Sequence, residues 1–138
     1  MLQLFAGCGY TGNGKKERGK IVYYQGKADS NYKSKNYQEA VLYFDSLILL
    51  DGKNPMYYFK RAYSRSILQG DPNQIISDYE SALALGFKEK KKVYLNLGFI
   101  FLMVDKKDSG LYYTNKCLEL DPDNEKAKEN KSHLLQLP

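Results

Sequence analysis

The stretch NYQEAVLYFDSLILLDGKNP, Asn36 to Pro55, decides how this chain folds. Ala40, Phe44 and Leu47 stand three and four residues apart, the spacing of a helix with one apolar side. Asp51-Gly52 breaks the pattern, and Asn54-Pro55 opens a new one, because proline's missing N–H costs nothing in a first helical turn. Read outward by the same signals, the chain divides into helices over Ile21–Lys35, Tyr37–Leu50, Pro55–Gln69, Pro72–Leu85, Glu89–Val104, Asp108–Leu120 and Asn124–Leu137. No segment alternates with the period of a strand, so the expected class is all-α.

The helices repeat. Ala28, Ala62 and Gly98 are small residues 34 and 36 apart in the odd-numbered helices. Phe44, Tyr79 and Thr114 recur every 35 residues in the even-numbered ones, as do Leu47, Ala82 and Cys117. One helix pair cannot bury its own apolar side, whereas stacked pairs of one period can, if the open end is capped. The expected units are 21–54, 55–88 and 89–122, with a capping helix over 123–137. In that last helix Lys126, Lys128, Glu129, Lys131 and Gln136 supply a polar outer face opposite Leu134, Leu135 and Leu137.

These residues resemble the tetratricopeptide repeat. NYQEAVLYFDSLILLD is similar to the second helix of that unit, with Tyr37 at the turn, Ala40 as its small residue and Phe44 as its large one. CLELDPDNEKA, Cys117 to Ala127, resembles the family's ending, with Pro122 closing the unit, and Tyr24, Tyr58 and Tyr94 sit where the family places an early aromatic. The resemblance implies a right-handed solenoid of helical hairpins. Gly52 and Phe87 depart from it at closing-proline positions, repeat two carries an extra residue near Gly70-Asp71-Pro72, and Thr114 is small where a large side chain is usual. A loosely packed third pair, or one covered by the final helix, is the expected consequence of Thr114.

The resemblance further implies a non-catalytic scaffold that holds a peptide, helix or partner subunit in a concave groove lined by the first helix of each pair. Its groove residues here are Gln25, Asp29 and Tyr32; Met56, Phe59, Tyr63 and Ser66; and Lys92, Leu95, Asn96, Phe99, Leu102 and Met103. One branch of the family grips the terminal carboxylate of chaperone tails with cations and asparagines. Gln25 and Asp29 replace a cation and an asparagine of that set, and Asp29 would repel a carboxylate, so the mixed apolar groove points to an amphipathic helix, an extended apolar segment or a second copy of the chain. Helix 89–104 is apolar all round and must be covered, by the last helix or by a partner.

Composition narrows the alternatives. With 43% hydrophobic and 27% charged residues in 138, the chain suits one globular domain with a buried core. Its longest apolar run, Leu97 to Val104, is far short of the roughly 20 residues that span a bilayer. The net charge of +5 is uneven: the first twenty residues hold four cations against one anion, +3 of the total. A basic leader on a near-neutral body is a poor duplex-binding surface, so a nucleic-acid accessory role stands last among the readings. One histidine, His133, and two cysteines make neither a nucleophile-and-base set nor a spaced ligand set, so no enzyme activity, metal or cofactor is expected.

The segment LFAGCGYTGNGKK, Leu4 to Lys16, carries three overlapping motifs. Gly7, Gly9 and Gly12 spell a dinucleotide fingerprint, but no strand precedes them and no βαβ unit follows. Gly9, Gly14 and Lys15 approach a phosphate loop, yet Lys16 occupies the place of its Ser/Thr. Phe5-Ala6-Gly7-Cys8 resembles the cleavage site of a bacterial lipoprotein, of whose signal Leu2 to Ala6 supplies only the end. Residues 1–20 are thus expected to be a flexible glycine-rich basic leader, either lipid-anchored at Cys8 in the bacterial cell envelope or inert on a cytoplasmic adaptor or self-associating module.

Overall fold

The computed structural model describes residues 12–138, which form α1 (Gly12–Lys33), α2 (Tyr37–Leu50), α3 (Pro55–Ile67), α4 (Pro72–Ala84), α5 (Lys90–Met103), α6 (Lys107–Leu120) and α7 (Glu125–Gln136). The helices pack as antiparallel hairpins, α1 on α2, α3 on α4 and α5 on α6, stacked through α2 on α3 and α4 on α5, with α7 closing against α5 and α6. This is the expected all-α helical-hairpin solenoid.

The residues that recur in the sequence are those that make the stack. Ala28, Ala62 and Gly98 are buried, as are Phe44, Tyr79 and Thr114, and Leu47, Ala82 and Cys117. Ala28, Ala40, Phe44, Leu47 and Tyr57 form one core between the first two pairs. Ala62, Ile75, Tyr79, Ala82, Phe87, Val93 and Leu97 form the next. Phe87, at a closing-proline position, is a plug: it is 3% exposed and stacks on Phe59 with ring centroids 4.4 Å apart.

The hairpin turns repeat too. Lys35, Gln69 and Asp105 all have positive φ, 61°, 55° and 55°. Each follows a first helix, and the next amide reaches back across the turn: Asn36 N to Asn31 O at 2.8 Å, Gly70 N to Arg65 O at 2.9 Å, Lys106 N to Phe101 O at 2.9 Å. These are Schellman closures, which glycine usually makes because a Cβ is strained there. α3, α4 and α7 start on side-chain caps, Asn54, Asp71 and Asn124, each accepting from an amide two or three residues on.

Two expectations need correction. The leader is not irregular throughout, since Gly12–Lys20 is the first part of α1. Extending a helix already anchored by Ile21 and Tyr24 against α2 requires no new nucleus, which offsets the cost of Gly14 and Gly19. The rest of the leader, with Cys8, lies outside the described residues. Of the two expectations for the third pair, cover by the final helix holds and loose packing does not. A methyl at Gly98 would overlap Thr114 Oγ1 and meet Thr114 N at 3.3 Å and Cα at 3.4 Å, and one at Gly110 would run into Leu134 of α7. Thr114 is small because α5 and α6 touch there.

Candidate functional site

The first helices stand in a row. Tyr32 of α1 meets Tyr63 of α3 at 5.9 Å between centroids, and Tyr37 completes a triangle with them at 5.9 and 6.0 Å. Tyr32, Phe59, Tyr63, Lys92, Leu95 and Asn96 enclose a hollow of about 280 Å³ between α1, α3 and α5. Leu95 and Asn96 continue into a second, about 450 Å³, with Phe99 and Leu102 on the α5 side and Lys126, Glu129, Asn130 and His133 on the α7 side. A third, about 470 Å³, runs on past Leu102, Met103 and Asp105 to His133, Gln136 and Leu137. Shared residues make the three one concave groove.

Its charges are nearly balanced. Lys60 Nζ binds Asp29 Oδ1 at 2.6 Å and lies 5.4 Å from the Tyr32 centroid, and Lys92 pairs with Glu89. Beneath the floor the Tyr79 hydroxyl accepts from Asn96 Nδ2 at 3.0 Å, which fixes the asparagine between two hollows. Burial, then the neighbouring Tyr63 and Tyr37, pushes Tyr32 up to about 12, and burial raises Tyr79 well above the usual tyrosine range. Both stay protonated donors at neutral pH.

Nine of the thirteen groove residues read from the sequence lie on these walls: Tyr32, Phe59, Tyr63, Lys92, Leu95, Asn96, Phe99, Leu102 and Met103. Phe59 is half core, packed on Phe87 and Tyr79. Gln25 and Asp29 are taken up by α3, through the Tyr57 hydroxyl at 3.5 Å and Lys60. Ser66 turns its hydroxyl onto Ala62 O at 2.9 Å, and Met56 faces a separate hollow of about 390 Å³ with Pro55 and Phe87.

The α7 wall is a correction, because Lys126, Glu129 and Gln136 were assigned to an outward polar face and line the groove instead. α7 buries Ala127, Asn130 and Leu134 and so takes the place of a fourth first helix. The signal was present: adding 34 to Lys92, Leu95, Asn96, Phe99, Leu102 and Met103 gives Lys126, Glu129, Asn130, His133, Gln136 and Leu137. α7 also answers how α5 is covered, though only in part, since Phe99 and Met103 remain 48% and 64% exposed.

The chain superposes on the Arabidopsis OM64 TPR domain with a TM-score of 0.73 at 25% identity, over 86% of this chain and 96% of that one. The fold is the tetratricopeptide-repeat fold. It is shared by the first TPR of Spaghetti (RPAP3) bound to the HSP90 peptide SRMEEVD, with TM-score 0.73, 24% identity and 85% and 91% of the two chains covered. It is also shared by the Yersinia enterocolitica type III secretion chaperone SycD in complex with a peptide of the translocator YopD, with TM-score 0.65, 16% identity and 85% and 88% covered. No protein-family model and no curated protein sequence matches this TPR chain.

Proposed function

We propose that this protein is a non-catalytic TPR scaffold that holds an amphipathic segment of a protein partner along its concave groove. One observation carries the reading: the middle hollow of the groove has an apolar wall, Leu95, Phe99 and Leu102, facing a polar one, Lys126, Glu129 and His133. A segment with one apolar and one polar side satisfies both walls, whereas a wholly apolar ligand would strip water from the α7 charges. That Spaghetti and SycD, on the same fold, are in complex with peptides supports a peptide-binding reading. An acidic tail is the poorer fit here, with Glu129 on the polar wall and Lys60 already paired.

The test is a photo-crosslinking side chain at Phe99, with Leu49 of α2, 88% exposed on another face, as control. Adducts at 99 that disappear in Tyr63→Asp, and none at 49, are expected in cells producing the protein. Equal crosslinking at 49, or none at 99, refutes the reading, and adducts between two copies of the chain convert it to self-association. The envelope tether proposed for this scaffold is supported by Phe5-Ala6-Gly7-Cys8 alone. Lipid labelling that persists in Cys8→Ala, or is absent in both proteins, would end it.

A further inference from the structure

α1 has a side that the groove does not use. Ala28, Tyr24 and Tyr32 pack toward α2, while Gln25 and Asp29 reach α3. On the opposite side Lys16, Lys20, Tyr23 and Lys27 stand four, three and four residues apart, which on a helix is a single stripe about 17 Å long. Lys15 and Val22 border it. All six are exposed, Val22 by 71% and Tyr23 by 56%.

Five lysines elsewhere are paired with acids, among them Lys60 with Asp29, Lys91 with Asp121 and Lys128 with Glu125. Within the stripe Lys27 Nζ lies instead over the Tyr23 ring, 5.8 Å from its centroid. Of the acids of α1, Glu17 borders the stripe three residues before Lys20, and Asp29 is held by Lys60. Gly19 and Gly26 lie along one edge of the stripe, and a Cβ at either would meet nothing within 4 Å, so that edge is open. α1 has 22 residues against 14 in α2, which leaves its N-terminal turns, Gly14 to Lys20, exposed all round.

We propose that this stripe docks the protein on an anionic lipid bilayer, with α1 lying along the surface. Charge complementarity selects an anionic partner, and the exposed Tyr23 ring at its centre selects the bilayer. The ring enters the boundary between headgroups and acyl chains, where aromatic rings are favoured, while the flanking lysines extend their stems outward to the headgroup phosphates. A nucleic-acid backbone is better gripped by forked arginines and amide donors, and the stripe has neither. The docking surface does not depend on what fills the groove, nor on a lipid at Cys8.

The experiment sediments the full chain, carrying Cys8→Ser so that no acyl chain contributes, with phosphatidylcholine vesicles lacking or containing one third phosphatidylglycerol. Binding to the anionic vesicles only is expected, with loss as salt is raised. The triple variant Lys16→Gln, Lys20→Gln, Lys27→Gln should lower partitioning roughly a hundredfold, at about fivefold per lysine. A second triple variant, Lys53→Gln, Lys88→Gln, Lys106→Gln, removes the same charge from exposed sites off α1 and should bind like the parent. Equal losses in the two variants would reduce the effect to net charge and overturn the proposal. So would equal binding to neutral vesicles, or tighter binding to duplex RNA or DNA than to anionic vesicles at equal phosphate concentration.

Discussion

Replacing Gly98 by alanine tests whether the third hairpin is as tight as its geometry indicates. In an unobstructed helix interior the change stabilises by about 1 kcal/mol. Here the new methyl overlaps Thr114 Oγ1, and Thr114 N and Cα, at 3.3 and 3.4 Å, belong to the backbone of α6. Turning one side chain therefore does not relieve the contact, and α6 must back away. Overpacking of this kind costs about 1–3 kcal/mol, and the involvement of backbone puts it at the upper end. The net is a destabilisation of about 2 kcal/mol, or a Tm lowered by roughly 6–10 °C for a chain of this size. Thr114→Ala relieves the overlap. Alone it should be close to neutral, because the methyl it removes, worth about 1 kcal/mol, is offset by loss of a buried hydroxyl that has no hydrogen-bond partner. The double variant should then recover the part of the loss that Oγ1 causes, a coupling of about 1 kcal/mol, while the backbone contacts keep it below the parent. Urea unfolding followed by far-UV circular dichroism measures all four proteins. Gly98→Ala as stable as the parent, or a double variant no better than Gly98→Ala, would refute the argument.

Other expectations follow from the same frame. Gln69→Gly relieves a positive φ of 55° and should stabilise by about 0.5–1 kcal/mol in thermal melts. Asp78→Ala leaves two arginines without the carboxylate that binds Arg61 Nε at 2.9 Å and Arg65 Nη1 at 2.8 Å and is only 5% exposed. It should cost about 3 kcal/mol, whereas Asp45→Ala, whose carboxylate is 39% exposed, should cost about 1 kcal/mol or less in urea titrations. Tyr32 is raised in the folded protein from 10.0 to about 12, so its contribution is complete below pH 10 and lost as pH rises to about 12. Stability measured across that window should fall less steeply in Tyr32→Phe.

Helix existence and phase were legible because three independent positions recur together, Ala28, Phe44 and Leu47 with their counterparts, and all of them proved buried. The start of α1 was not, since five glycines before Lys20 outweighed two basic turns in local propensity, and only the anchor on α2 resolves the conflict. The αL turns were equally hidden: Lys35, Gln69 and Asp105 are not glycine, so their common geometry has no compositional mark. In the groove, the α5 residues followed from the period, and the α7 residues were missed because the last helix was read as an end rather than as one more turn of the repeat. Phe59 shows the remaining ambiguity, since one aromatic ring at groove spacing also completes the core against Phe87.

Because α7 is both the terminal element of the stack and one bank of the groove, folding and recognition share one degree of freedom there. A solenoid frays from its ends, and the energy needed to peel off α7 is smaller than that of melting the whole. A ligand gripping Lys126, Glu129 or His133 would add its binding energy to the contacts that hold α7 on α5 and α6 and so raise the energy of that local opening. Occupancy would then be read most clearly far from the ligand's own contacts, as slowed amide exchange in α6 and α7.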